Sequence, residues 1–206
     1  MFDPYAEMVD GTAMHFERSA EELASSFSPE ATAHALSLSC RYNGHTKRFY
    51  SVAEHTYLMA KWVEEQHWST SKDVLTALHH DDAEIVIGDM ISPIKKYDQF
   101  FRDLEAKLDT AIAIQYGTEY PFPKWLKQVD SAMIKDERRS VMYPSDNTWF
   151  SDELTAIGVR FMPIIGRIPW LMRKLWLRMH YRLVNDILLY SETEDDWLSN
   201  GNYSGY

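Results

Sequence analysis

Apolar residues recur at three- and four-residue intervals along most of this chain, and prolines and glycines break the recurrence into separate helical stretches. Ser28-Pro29 marks a helix start, with the serine as N-cap and the proline in the first turn, and Ala31, Ala35 and Leu38 carry it to about Cys40. After the Asn43-Gly44 turn, a helix from Ser51 puts Val52, Met59, Trp62 and Val63 on one stripe. The next runs from about Lys72 to Ile87, with Val74, Ala77, Leu78 and Ile85 sharing a face and Gly88 at its end. A long amphipathic helix follows from about Tyr97 to Tyr116, closed by Gly117, and another from Trp125 to about Met142, with Leu126, Val129, Met133 and Ile134 inward. Residues 143–169 are rich in breakers and read as loops packed by Trp149, Phe150 and Phe161, before a basic helix from Pro169 to about Tyr190. Residues 1–27 read as an irregular lead-in and 191–206 as a loose acidic tail. The pattern predicts an all-α protein: one helical domain over 1–190, its core at about 28–142 and a C-terminal extension at about 143–190.

Ionisable groups interrupt the inward faces. His55 lies on the stripe of Val52 and Met59, where a lone histidine is usually a satisfied core residue. The Lys72–Ile87 stretch changes that reading, because His80, Asp81 and Glu84 project to overlapping sides of one helix and Asp89 can reach back over its end. Asp130 falls on the inward stripe of the 125–142 helix, whereas Asp136, inside the run Lys135-Asp136-Glu137-Arg138-Arg139, is expected to be solvated. Burying so many ionisable groups without partners is costly. A divalent metal resolves the cost, since imidazole nitrogen and carboxylate oxygen together suit one. Between the first two helices, Arg41, His45, Lys47 and Arg48 crowd one loop, which is either simply solvated or a phosphate-binding element.

Composition narrows the field. A net charge of −10 opposes binding to long nucleic acids, which relies on neutralising phosphates, but leaves local basic clusters free to take a small anion. The single cysteine, Cys40, asks for no oxidising compartment. No apolar run approaches the roughly 18 residues that span a bilayer, and Met1-Phe2-Asp3-Pro4 lacks the regions of a signal peptide, so a cytoplasmic protein without a membrane partner is expected. The basic C-terminal helix is expected to pack at the terminus or to join copies into a homo-oligomer.

The ordered set formed by Arg41-Tyr42-Asn43-Gly44-His45, Ser51-Val52-Ala53-Glu54-His55, His80-Asp81 with Ala83-Glu84, Gly88-Asp89 with Pro93 and Lys95, and Asp130 resembles the HD-domain phosphohydrolases. Within them it is similar to the small nucleotidases of the YfbR-like group and to the phage deoxynucleoside triphosphohydrolases, over roughly residues 30 to 140. The resemblance implies an HD-type helical bundle in which His55, His80, Asp81 and Asp130 hold one divalent metal (Mn, Co, Zn, Fe or Mg) between helices. It implies that Glu84 and Asp89 serve the attacking water and the departing oxygen, and that Arg41 and Tyr42 meet phosphate and base; on electrostatic grounds Arg41, His45 and Lys95 are then expected to neutralise charge developing on the phosphate chain.

The leading expectation is a triphosphohydrolase of deoxynucleotides, with dATP as the candidate preferred substrate, releasing deoxynucleoside and triphosphate through a metal-activated water. Its support is the number of cations, Arg41, His45, Lys47, Arg48, Lys95 and Lys96, which exceeds what one phosphate needs. A 5′-deoxynucleotidase acting on monophosphates is the alternative, and a non-catalytic metal- or nucleotide-binding module a more distant one.

Overall fold

Serine, threonine and aspartate set most of the helix starts. Ser19, Ser28, Ser51, Thr70 and Asp98 each accept a first-turn backbone N–H that the helix itself cannot satisfy. The computed structural model describes residues 4–95, 97–162 and 165–199. A short antiparallel hairpin, β1 (Ala6–Glu7) and β2 (Ala13–Met14), leads into α1 (Ala20–Ala24) and α2 (Pro29–Leu38). A 3-10 turn at Arg41–Gly44 precedes α3 (Val52–Glu64), α4 (Ser71–His79), α5 (Glu84–Ile87) and α6 (Ser92–Lys95). The long helices α7 (Gln99–Tyr116) and α8 (Lys124–Val141) follow, then 3-10 turns at Phe150–Glu153 and Ile165–Arg167, then α9 (Pro169–Ser199). The fold is all-α apart from that hairpin, as the periodicity predicts. No helix among the described residues is long and apolar enough to cross a membrane.

Two clusters of buried apolar residues hold these elements. In the larger, Met172, Trp176, Met179 and Leu183 of α9 pack against Leu36 of α2, Met59 and Val63 of α3, and Leu75 and Leu78 of α4. Trp176 is fully buried, and its indole N–H donates to Thr56 Oγ1 at 3.1 Å, so α9 completes the core that carries the site. In the smaller, Met8, Met14, Leu23 and Phe27 close over Leu108, Ala111 and Ile112 of α7.

Four elements differ from the sequence pattern. The lead-in is ordered rather than irregular, because its apolar residues cover α7. The expected helix 72–87 is two helices, broken where the His79 imidazole binds Asp82 at 2.5 Å and His80 Nδ1 binds Ala77 O at 2.8 Å, side-chain bonds that compete with the helical ladder. The last helix does not end near Tyr190 but continues to Ser199, since neither proline nor glycine lies in that stretch; residues 200–206 lie outside the described residues. Phe161 does pack the 143–169 loops, its ring 5.8 Å from that of Tyr50, but Phe150 is largely exposed.

A close approach ties the 3-10 turn Ile165–Arg167 to α3. Glu54 is buried and paired to the Arg48 guanidinium at 3.0 and 3.1 Å, and a Cβ at Gly166 would lie 2.2 Å from the Glu54 carboxylate carbon. Gly166→Ala is therefore expected to destabilise the protein by about 1–3 kcal/mol, the scale of overpacking. An unchanged melting temperature would show that the turn stands clear of α3.

Candidate active site

The break between α4 and α5 lets consecutive residues face one point. His80 caps α4, and its Nδ1–H donates to Ala77 O, which leaves the Nε2 lone pair outward. His55, from the first turns of α3, is fully buried and gives its Nδ1–H to Glu137 Oε1 at 2.7 Å, which likewise frees its Nε2. The two Nε2 atoms lie 3.4 Å apart. Asp81 Oδ2 is 3.5 Å from His55 Nε2 and 3.4 Å from His80 Nε2, and Asp130 Oδ1, from α8, is 3.3 Å from His55 Nε2. With both Nδ1 atoms donating, two imidazole lone pairs and two carboxylate oxygens point at each other, an arrangement that is repulsive unless a cation sits among them. Asp130 Oδ1 is buried and accepts no hydrogen bond among the described residues. His55, His80 and Asp130 form a group able to hold a metal ion, and Asp81 Oδ2 stands within 3.5 Å of both imidazoles. The donor set fits a divalent ion of the transition series.

Burial and the nearby Arg41 both oppose charge on His55, yet Glu137 and Asp130 reverse them and leave the imidazole raised to about 9.

Glu137 is the residue that sequence reasoning missed. It is fully buried and accepts from Arg41 Nε (3.1 Å), Tyr50 OH (2.8 Å), His55 Nδ1 and Tyr42 OH. Its position was nevertheless written in the pattern: it stands four residues after Met133 and four before Val141, on the buried stripe of α8, and seven after Asp130. Asp136 is also not solvated. It is buried, and its Oδ2 accepts the backbone N–H groups of Ile157, Gly158 and Val159 at 3.0, 2.9 and 3.4 Å, pinning that loop to α8.

Arg41 is buried among the carboxylates, 3.3 Å from Asp81 and 3.6 Å from Asp130 besides its bond to Glu137. It is thus part of the frame of the cluster as well as a wall of the cleft beside it. Tyr42 and Asn43 hold left-handed backbone conformations, with φ of 58° and 51°, which non-glycine residues adopt at a cost. The Tyr42 N–H donates to Asp89 Oδ2 at 2.7 Å, so the strained turn is locked to the segment after α5.

A cavity of about 470 Å³ opens beside the cluster, within the size range of small-molecule sites. Arg41, Tyr42, Asp81, Glu84, Asp89, Lys95 and Asp130 line it, together with apolar residues from the 90–91 and 148–150 segments. Glu84 is buried, and burial, then Asp81 and Asp89, push its carboxyl well above the ordinary range; its Oε2 has no hydrogen-bond partner among the described residues. Lys95 pairs with Glu105 at 2.6 Å and stands 4.0 Å from Glu84. His45 is exposed and lines no part of this cavity, Arg48 is committed to Glu54, and Lys47 lines a neighbouring cleft; Lys96 lies outside the described residues.

Behind Lys95, burial, then Glu105 and Asp81, raise Asp109 to about 8. An acid whose folded pKa exceeds its unfolded one binds more protons in the native state, so its contribution to stability falls as pH rises from about 4 through 8. Asp109→Asn is expected to remove that fall, raising the melting temperature at pH 9 more than at pH 5. Parallel melting curves for variant and wild type across that range would contradict the assignment.

Comparison with known proteins meets this geometry at the same residues. The family model described as 5′-deoxynucleotidase YfbR-like matches residues 41–143, from the buried arginine through all four converging side chains to the end of α8. The chain belongs to the YfbR-like family. The uncharacterized protein YfdR of Escherichia coli K12 is 32% identical over 117 residues, 56% of this chain, and the match spans 62% of YfdR's own length. An uncharacterized protein of Rhodobacter capsulatus is 34% identical over 172 residues, 77% of this chain and 86% of its own. For a YfbR-like protein, Trp149 and Phe150 are notable because they line the cavity from outside the matched stretch.

Proposed function

We propose that this chain is a divalent-metal-dependent phosphohydrolase of deoxynucleotides, acting as a 5′-deoxynucleotidase that releases orthophosphate from deoxynucleoside monophosphates. The observation that carries it is the convergence of His55, His80, Asp81 and Asp130 on one point at the wall of a nucleotide-sized cavity. A cation held there would polarise a phosphoryl oxygen and lower the pKa of an attacking water. The protein supplies the rest. Arg41 presents a guanidinium beside the cluster and Lys95 an ammonium in the wall of the same cavity, donors for a phosphate oxygen. Glu84, buried with its Oε2 free of hydrogen bonds among the described residues and lining the cavity, is placed to take a proton from the attacking water. Asp89, holding the Tyr42 N–H with one oxygen, faces the cavity to orient the departing 5′ oxygen or return its proton.

The preference for one phosphate rests on charge. Of the six cations that suggested a triphosphate, Arg41 and Lys95 alone line the cavity among the described residues, and both are already paired to carboxylates. The triphosphohydrolase reading keeps one observation in its favour: a second cleft, lined by Lys47, Lys135, Arg138 and Arg139, adjoins the first at Thr148 and could accept a longer phosphate chain. Chromatography of products with Mn²⁺, Co²⁺, Mg²⁺ or Zn²⁺ separates the two. Orthophosphate and deoxyadenosine from dAMP support the monophosphate reading, and intact triphosphate from dATP, with dAMP untouched, would overturn it.

Glu84→Gln is expected to keep fold and metal while cutting turnover about 10²-fold or more, the scale of general acid–base assistance. Loss of metal from that variant would move Glu84 into the set of ligands instead.

A further inference from the structure

The cavity is chemically divided along α8. Asp130 belongs to the converging cluster, Ile134 one turn on lines the cavity wall, and Arg138 a further turn on lies under Trp149, its guanidinium carbon 5.2 Å from the ring centroid. At 1.5 Å per residue, Arg138 stands about 12 Å along the helix from Asp130. A phosphate at the charged end therefore places its sugar and base toward Ile134, Met90, Ile91 and Trp149, which are apolar and among which Thr148 is the nearby polar group.

Trp149 is held for this position. Its backbone N–H donates to Asp152 Oδ2 at 2.8 Å, and Asp152 also takes the Arg138 guanidinium, so a single carboxylate braces both the indole and the cation beneath it. Lys135 donates to Asp152 O at 2.8 Å and to Leu154 O, fastening the same segment to α8. The indole remains only half-buried. Tyr42, by contrast, has its hydroxyl bound to Glu137 and its N–H to Asp89, and its ring meets Trp149 at 6.2 Å as a neighbour in the wall.

Resting on the reading of this cavity as a nucleotide site, we infer that Trp149 is the surface on which the nucleobase stacks, and that it favours purines over pyrimidines by contact area. Base choice is then set from residues 148–150, outside the stretch that the family model matches, while phosphate chemistry is set inside it. Stacking suits this wall because, apart from Thr148 and the indole N–H of Trp149 itself, its side chains carry no group that hydrogen-bonds a base edge.

Calorimetry with deoxyadenosine and deoxycytidine, nucleosides that carry no scissile phosphate, reads base binding apart from catalysis. For metal-loaded Trp149→Ala, the Kd for deoxyadenosine is expected to rise at least about fivefold, the lower end of base–aromatic stacking, and that for deoxycytidine less. Trp149→Phe should recover most of the loss. In steady-state assays the same variants should raise KM for dAMP and dGMP with kcat within about threefold of wild type. If Trp149→Ala does not fold, Trp149→Leu, which keeps apolar volume without a ring, carries the same expectation. Unchanged deoxyadenosine affinity in a folded variant overturns the inference, and equal losses for both nucleosides overturn its purine preference. Wild-type protein that binds deoxyadenosine through Trp149 but hydrolyses no deoxynucleotide would overturn the hydrolase reading and leave the inference standing. Hydrolysis indifferent to Trp149 would do the reverse.

Discussion

Asp81→Ala is expected to retain no stoichiometric metal and to lose phosphohydrolase activity altogether. Its Oδ2 stands 3.4 and 3.5 Å from the two histidine Nε2 atoms and also takes Arg41 NH1 at 3.3 Å, so removing it opens one side of the cluster and frees a buried guanidinium. The stability effect should depend on metal. A ligand that binds only the native state stabilises it by RT ln(1 + [L]/Kd), about 2.7 kcal/mol at a hundredfold excess over Kd, and Asp81→Ala should no longer show that rise on metal addition. Thermal melts with and without Mn²⁺ test this, and a variant that keeps the metal-dependent shift would remove Asp81 from the set of ligands.

Glu137→Ala should be the most destabilising single change near the site. It strands Arg41 Nε, the His55 Nδ1–H and two tyrosine hydroxyls in a buried setting, and breaking a buried charge pair costs about 3–5 kcal/mol. In a protein of ordinary stability that is a large fraction of the total, expected as a fall of about 10 °C in Tm. Although burial pushes the Glu137 carboxyl up, Arg41 and His55 pull it down to about 2. The stability it contributes is therefore complete above its ordinary pKa of 4.5 and disappears as pH falls toward 2, so wild type and Glu137→Ala should converge in acid. Equal Tm values at pH 7 would show that the hub is not structural. Glu137→Gln, which keeps the acceptor oxygen, should recover part of the loss.

The helices and the converging residues were legible because period and chemistry agreed at those positions. His55 on the stripe of α3, and His80, Asp81 and Glu84 within one short stretch, violate the apolar pattern in a way that a cation alone repairs. Glu137 was hidden because it sits among charged neighbours, and composition of the run outweighed its place on the Met133–Val141 stripe. Asp136 was hidden for a different reason: its partners are backbone N–H groups 21 to 23 residues away, which carry no residue-type signal. His45 was assigned to the site because it shares a loop with Arg41, whereas in the structure the Tyr42–Gly44 turn leaves it exposed and off the cavity lining. The break after His79 could not be seen in the periodicity, since it is made by side chains bonding locally rather than by proline or glycine.

The most direct measurement is metal content after dialysis, set beside orthophosphate release from dAMP over the same range of free Mn²⁺. One ion per wild-type chain is expected, with release rising in step with occupancy, and both should be absent in Asp81→Ala. Release that persists in excess chelator, or an equivalent of metal retained by Asp81→Ala, would contradict the assignment of His55, His80, Asp81 and Asp130 as the centre of a metal-dependent phosphohydrolase.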